Sequence, residues 1–562
     1  MSVLRITAFL AIWAIALWAE LAPGGARAEA QTKPLPQVLV IAPDKSSAHA
    51  KALLRVIEAE LAVQGTLAEM SDYHPLIDEL YYDGFVYLGE DYFVPPSEPF
   101  LADMSRTRKP LLWIGYHAWL LPAGVRERTG LTVQDLHPDA YDTINYHGLA
   151  PVGGGDTSVA TADHPARVFY WLYNADRTAA IPGAVLGDNL GYVSYLPVLD
   201  PEHPGYPAFR AVLAETMSPL PASRALPPQP EARLAAAKAD TFRSAIHLPF
   251  VFAGDGEETI PYASDDYHRR LFNIKQSGAD WVALSQTYFQ HGISASDLQA
   301  HEVGTASFAA LEHIADDAHR LGLFVQLSVI VNLDEETRKP NEWRGFIRPS
   351  DRQEWWRSYR KIVLDAARFA DRAGIEALII GAELNRMQGD AAQWRALAAD
   401  VREQAQYAGL VGYQVNFDAF DNLTWADALD FLSIAAYWPL ATTRDPSLTE
   451  LLASWEKIGA GLTEWARDYP AVALEFGEIG YASQPYAAVF PFSWKPNRSR
   501  NLSHQEQLNL YLALEAFLKT RPDITGLGVF ASTRYDRVPG DIGYSPFGKP
   551  AEAVVNRLMS LR

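Results

Sequence analysis

Apolar residues fall along this chain in two alternating rhythms, short runs at strand spacing and longer stretches at helical spacing. Gln37–Ala42 is a short β-branched run, and a periodic helix over Ala48–Val63 follows it. Gly84–Leu88 and Pro110–Gly115 read as further buried strands. Strands alternating with helices predict a parallel sheet. From about Val159 to Leu199 the rhythm shifts to short aromatic and β-branched runs, which predicts an antiparallel addition. Residues 36–218 are therefore expected to form one α/β domain. Residues 219–240 are rich in Pro and Ala, the composition of a semi-rigid linker.

Beyond the linker the strand–helix rhythm repeats to the end of the chain. Candidate strands are Ile246–Ala253, Trp281–Thr287, Phe324–Val331, Ala377–Gly381, Val411–Asn416, Phe431–Ala436, Val472–Phe476 and Gly526–Ala531. Helical stretches lie between them, among them Asp265–Ser277, Ser307–Arg320 and Asp351–Ala373. Eight strands separated by helices over residues 241–562 fit a (β/α)8 TIM barrel. An open doubly wound sheet is the alternative. The chain has no GxGxxG or P-loop at a strand end, which weakens a nucleotide-binding version of it.

Charge and the chain start add a setting. The formal net charge is -20 with no basic block, so a nucleic-acid partner is not expected. Arg5, the apolar run Ile6–Ala19 and the small-x-small triplet Ala26-Arg27-Ala28 have the order of a secretory signal peptide, placed at residues 1–28. The run is shorter than the ~20 residues that span a bilayer. The expected location is periplasmic or extracellular, with no stable membrane span after cleavage. There are no cysteines, so an exported fold would be held by its cores rather than by disulfides.

The chemistry of a barrel sits at the C-terminal ends of its strands. Glu383 ends the fourth candidate strand and Glu478 the seventh, each close to a glycine. Those strands face each other across an eight-stranded mouth. Two carboxylates so placed are what glycosidic cleavage requires, one as a neutral acid and one as an ionised nucleophile. Helix capping or pairing with an arginine is the structural alternative for each. Glu475 is the rival carboxylate. It lies three residues before Glu478, so strand alternation puts the two on opposite faces and only one into the site. No HExxH or other zinc spacing is present, and no catalytic metal or cofactor is expected.

The C-terminal half resembles glycoside hydrolase family 113, a β-mannanase-type family of retaining barrel enzymes, over most of residues 243–556. The resemblance is carried by Trp343-Arg-Gly-Phe-Ile347, Trp355-Trp356 through Tyr359, Ile380-Gly-Ala-Glu-Leu384, Gly412-Tyr-Gln-Val-Asn-Phe-Asp418, Leu429 through Pro439, Glu475-Phe-Gly-Glu-Ile-Gly-Tyr481 and Gly548-Lys-Pro-Ala551. It implies a retaining, endo-acting hydrolase of a β-linked polysaccharide, mannan-like or a bacterial exopolysaccharide. It also implies Glu383 as acid/base, Glu478 as nucleophile and Tyr437 beside the nucleophile. A phenol there would hydrogen-bond the carboxylate and hold it ionised. Two positions depart from the related enzymes. Ala382 stands where many carry an asparagine for the sugar 2-hydroxyl, so either Asn385 or Asn416 supplies that contact or it is absent. The third strand reads Leu327-Ser-Val-Ile-Val331, without the polar residues often found there.

Sugar rings stack on aromatic faces. The expected platforms are Trp438 and Trp494, with Trp343, Tyr288 and Tyr535 as further candidates. Asp255, Asp418, Arg534 and Asp536 are rim groups, and His247 is read as a satisfied interior histidine. The segments Tyr81–Gly89 and Lys109–His117 are similar to the leading part of exported polysaccharide-deacetylase-like proteins, without a deacetylase His/Asp set. That similarity implies an accessory role, binding glycan or docking to exopolysaccharide machinery, against a packing domain with no ligand. The competing reading of the whole chain is a non-catalytic glycan-binding or secretion scaffold on a degenerate barrel. An open mouth favours the enzyme; a mouth covered by the N-terminal domain favours the scaffold.

Overall fold

The computed structural model describes residues 35–123, 125–126, 130–137, 141–146, 149–152, 157–162, 168–221, 230–239, 242–250, 262, 264–302, 304–493 and 501–561. The signal peptide, Asp255 and Trp494 lie outside the described residues. Among the described residues no helix is long and apolar enough to cross a membrane.

The N-terminal strands are β1 (Gln37–Ile41), β2 (Gln64–Ala68), β3 (Gly84–Gly89), β4 (Leu111–Gly115), β5 (Leu131–His137), β6 (Thr143–Asn145), β7 (Leu149–Pro151), β8 (Thr157–Ala162), β9 (Val168–Tyr173), β10 (Ala180–Leu186) and β11 (Leu190–Val193). Nine of them form one mixed sheet in the order β2-β1-β3-β4-β11-β10-β9-β6-β7, while β5 and β8 pair separately. The half from β2 to β11 is parallel and the rest antiparallel. The antiparallel part includes β9 and β10 from the stretch expected to add it, but it already begins with β6 and β7 before residue 159, and β11 within that stretch joins β4 in parallel. Helices α1 (Ala48–Leu61), α2 (Ile77–Tyr81), α3 (Glu98–Arg106) and α4 (Tyr206–Met217) accompany the sheet. Leu53 and Ile57 of α1 and Phe209 and Val212 of α4 share one buried cluster, and Phe100 and Met104 of α3 belong to the cluster on the other side. The sequence reading missed β2. Its residues QGTLA are mostly half-exposed and carry no apolar run.

The proline- and alanine-rich stretch contains more than a linker. Pro230–Ala239 forms helix α5. Alanine-rich sequence has high helix propensity, and here tertiary contacts fix it. Arg233 Nε donates to Glu376 Oε1 at 3.0 Å, and Lys238 Nζ donates to the Ala408 carbonyl at 2.6 Å.

All eight expected barrel strands are present: β12 (Arg243–His247), β13 (Trp281–Gln290), β14 (Phe324–Leu333), β15 (Ala377–Ala382), β16 (Leu410–Asn416), β17 (Phe431–Ala435), β18 (Ala473–Ile479) and β19 (Gly526–Val529). They close into a parallel barrel in chain order. The surrounding helices are α6 (Asp265–Gln276), α7 (Phe308–Arg320), α8 (Arg352–Arg372), α9 (Ala391–Glu403), α10 (Leu448–Asp468), α11 (His504–Leu518) and α12 (Glu552–Met559). Several begin at a residue that accepts from a backbone N–H three positions on, as Ser307, Asp351, Ser447 and Ser503 do.

The floor of the barrel is built from first residues of its strands. Trp281, Ala377 and Phe431 open β13, β15 and β17 and share a cluster with Ala237 of α5. Side chains of alternate strands meet only inside the barrel, so α5 closes its N-terminal end. Arg243 lies over the Phe431 ring at 3.8 Å and pairs with Glu475, both buried. A buried pair that loses one charge leaves the other uncompensated. Glu475→Gln is accordingly expected to lower stability by about 3 kcal/mol, read as a fall in the thermal or denaturant midpoint. Activity per folded molecule should persist.

Candidate active site

The barrel's upper end departs from regular strand pairing at two places. Ile379 pairs with Gly412 and Ala382 with Gln414, so β15 carries one residue more than β16. Ser433 pairs with Glu475 and Ala435 with Glu478, so β18 carries one more than β17. Each is a β-bulge, which re-aims the side chains that follow it. Glycine permits both. A Cβ at Gly477 would lie 1.8 Å from Ser433 Oγ, and one at Gly381 would lie 2.6 Å from Tyr359 Oη. Each bulge also has a capped carbonyl: Tyr359 Oη donates to Ile380 O at 2.7 Å, and His247 Nε2 donates to Gly477 O at 2.7 Å.

The bulges correct the expectation about Glu475. Regular alternation would put Glu475 and Glu478 on opposite faces. The extra residue in β18 turns both inward, at different heights. Glu475 sits on the floor with Arg243, and Glu478 sits near the mouth. Glu475 is excluded as a rival by its ion pair, not by its direction.

Glu383 and Glu478 are joined by one residue. The Glu383 backbone N–H donates to the Gln414 carbonyl at 2.8 Å, while Gln414 Nε2 donates to Glu478 Oε2 at 2.7 Å. Tyr437 Oη donates to Glu478 Oε1 at 2.8 Å, as expected of that tyrosine. Burial and the adjacent Glu478 push the Tyr437 phenol well up, so it remains a proton donor. Tyr544 packs edge-on against the Tyr437 ring.

Glu383 takes a left-handed backbone conformation with φ 55°, rare for a residue with a side chain. The contact to Gln414 and the Tyr413 hydroxyl, which accepts from Leu384 N at 3.2 Å, hold it there. Its side chain is 14% exposed. Burial pushes its carboxyl up to about 7; the Glu478 charge adds to that, and Arg344 opposes it. Arg344 Nη1 donates to Glu383 Oε2 at 2.7 Å, and its Nε donates to Asn332 Oδ1 at 2.9 Å.

The other sequence candidates divide. Asn416 is buried and its Oδ1 accepts from Phe417 N, whereas Asn385 Nδ2 reaches Asp418 Oδ1 at 3.5 Å. Trp438 is half-buried, edge-on to Phe417 and Phe420 and packed near Phe476. Phe492, 52% exposed, stacks on Phe417 and extends this aromatic row. Trp343 is half-buried next to Arg344, and Tyr535 is exposed. Asp536 is half-buried and accepts from the Ser532 and Ser545 hydroxyls. Tyr288 is a correction. Gln290, two residues on, accepts from Trp355 Nε1 of α8, and burial with nearby Asp365 of α8 pushes the Tyr288 phenol up to about 12. Even-numbered residues at this end of β13 face the helices, so Tyr288 belongs to the core between strand and helix.

Gln414, Arg344 and Asn332 were missed by sequence reading. Gln414 lay in a quoted motif, two residues before Asn416; its inward parity on β16 was the available signal. Arg344 lay inside another, and its reach to Glu383 comes from a loop that sequence does not position.

A closed parallel barrel with two glutamates tied together at its mouth is the architecture of a barrel glycoside hydrolase. The chain belongs to Glycoside Hydrolase Family 113, whose profile matches residues 252–548. It is similar to the solved GH113 β-mannanase from Alicyclobacillus acidocaldarius, at 25% identity and a TM-score of 0.50 over 58% of this chain and 99% of that one. A second solved GH113 β-1,4-mannanase is 22% identical, with a TM-score of 0.50 over 57% of this chain and all of its own, and shares the fold. No curated protein matches the chain. The family match begins at residue 252 and does not extend over the N-terminal domain.

Two outcomes follow from this geometry. Gly477→Ala forces Ser433 and the bulge apart, and is expected to lower kcat by roughly 100-fold through displacement of Glu478, with the fold retained by circular dichroism. Removing the Arg344 charge withdraws a group that favours ionised Glu383. The alkaline limb of the kcat/KM profile should therefore move to higher pH in Arg344→Gln than in the native chain.

Proposed function

We propose that the protein is a retaining glycoside hydrolase of β-linked, mannan-type polysaccharide, with Glu478 as nucleophile and Glu383 as acid/base. The observation that carries the reading is the contrast between the two carboxyl groups. Glu478 receives a hydrogen bond on each oxygen, from Gln414 and Tyr437, which fixes its orientation. Glu383 is buried and pushed up to about 7, so it can hold a proton at neutral pH and release it. In the first step a Glu478 oxygen bonds to the anomeric carbon while the glycosidic C–O bond breaks and Glu383 protonates the departing oxygen. In the second, Glu383 takes a proton from water, the water oxygen bonds to the same carbon, and Glu478 leaves. Two inversions restore the starting configuration.

The mannan assignment rests on the family and on the solved β-mannanases. The row Trp438, Phe417 and Phe492 supplies apolar faces for sugar rings beside Glu478. Asn385, two residues after Glu383 and reaching Asp418, is assigned the sugar contact that an asparagine at position 382 makes in related enzymes. Endo action and export through the leader at residues 1–28 are parts of the same proposal, as is a glycan-docking role for residues 36–218. The scaffold reading is disfavoured by the position of the domain seam. α2 meets α7 close to Arg320, where that helix leads into the start of β14, and α5 lies under the floor. Both contacts are away from the mouth.

The test is product release from β-mannan, β-glucan and bacterial exopolysaccharides by native enzyme, Glu478→Gln and Glu383→Ala. Glu478→Gln should lose activity by roughly 10⁴-fold or more. Azide should restore turnover in Glu383→Ala and give a β-glycosyl azide. A product of inverted configuration from the native enzyme, or full activity in Glu478→Gln, would overturn the assignment.

A further inference from the structure

A cluster of four side chains lies at the seam between the domains, far in sequence from the catalytic strands. His313 and Asp317 are one turn apart on α7 and so share a face. His268 comes from the neighbouring α6, and His74 from the N-terminal domain just before α2. One ligand atom from each residue can be chosen so that all four lie within 4.8 Å of one another.

The spacing matches a metal better than a set of hydrogen bonds. His268 Nε2 is 3.2 Å from Asp317 Oδ2, His313 Nε2 is 3.5 Å from the same oxygen, and the two nitrogens are 3.5 Å apart. Zinc bonds to nitrogen and oxygen of about 2.0–2.1 Å imply tetrahedral edges of about 3.3–3.4 Å. Asp317 has no exposed surface, and its Oδ2 faces both the His268 and the His313 imidazoles. Its Oδ1 meets His74 Nδ1 at 2.8 Å. The His74 ring stacks on those of His313 and His268, with centroids 4.4 and 5.1 Å apart. Stacked imidazolium ions would repel, whereas neutral imidazoles around one cation would not.

The surrounding contacts prepare the site. The His74 N–H donates to Asp78 Oδ2 at 2.8 Å, and Asp78 Oδ1 accepts from Arg320 Nη1 at 2.9 Å. Arg320 stands on α7, three residues after Asp317. The loop bearing His74 is thus pinned to the helix that bears two of the other groups. Supporting contacts of this kind fix the orientation of metal ligands. His313 is 28% exposed, which leaves a way in for an ion.

We propose that His74, His268, His313 and Asp317 form a tetrahedral site for a divalent transition metal, zinc foremost, that clamps the N-terminal domain to the barrel. Three nitrogens and one carboxylate oxygen are a donor set zinc accepts. With four protein ligands the shell is closed, so the role is structural.

The test uses the full chain, stripped with chelator, reloaded with zinc and freed of excess metal. About one equivalent should remain by elemental analysis. Cobalt(II) in its place should give the intense visible bands of tetrahedral geometry. His74→Ala and His313→Gln should each weaken zinc binding at least ~10-fold and abolish the rise in thermal midpoint that zinc gives the native chain. His74→Ala removes a ligand from outside the barrel, so the barrel's circular dichroism reports whether loss of metal reflects loss of fold. Negligible retained zinc with no tetrahedral cobalt spectrum would overturn the proposal. So would affinity unchanged in both variants. None of these readouts depends on the catalytic assignment.

Discussion

The active site depends on a packing constraint at two glycines. A regular parallel barrel alternates its side chains strictly, and its interior fills with layers of packed residues. To carry a floor carboxylate at Glu475 and a mouth carboxylate at Glu478 on one strand, both facing inward, the strand must gain a residue between them. Ser433 lies against the backbone of Gly477, and Tyr359 and Trp394 lie against Gly381, so close that neither position has room for a side chain. The carbonyls freed by the extra residues are capped by His247 and Tyr359. The two mouth glutamates are therefore positioned by backbone geometry that the barrel wall enforces.

Electrostatics then separates the two carboxyl groups. They share Gln414, which contributes its backbone oxygen to one residue and its side-chain amide to the other. Glu383 is pushed up by burial and by the nearness of Glu478, and held back by Arg344. The opposing effects leave it close to neutrality, where a group can give and take a proton with small driving force either way. Arg344 thus tunes a residue it does not replace, and Asn332 keeps it aimed.

Much of this was legible in the sequence because periodicity reports burial. The eight strands and the glutamates at the ends of the fourth and seventh came from runs and their termini, while the tyrosine after the sixth came from the family resemblance. Parity arguments failed where the strand was irregular. The reading that set Glu475 and Glu478 on opposite faces assumed a ladder without bulges. Tyr288 was assigned to the site because it is aromatic and near a strand end, yet its parity turns it toward α8. Arg344 reaches Glu383 from a loop, and no local pattern encodes that reach. Helix α5 was concealed by its proline-rich neighbours. His74 and His313 come together only when two domains dock, so no spacing rule connects them.

The helix under the barrel alters what counts as the enzyme in this chain. Ala237 completes the cluster that closes the floor, and Arg233 pairs with Glu376 just ahead of β15. A segment that would otherwise be a disposable tether has become part of the barrel floor. In evolutionary terms the barrel could not be exchanged by recombination at its first strand without exposing Trp281 and Phe431 to water. The inherited barrel unit therefore begins at residue 230 or earlier, ahead of its first strand.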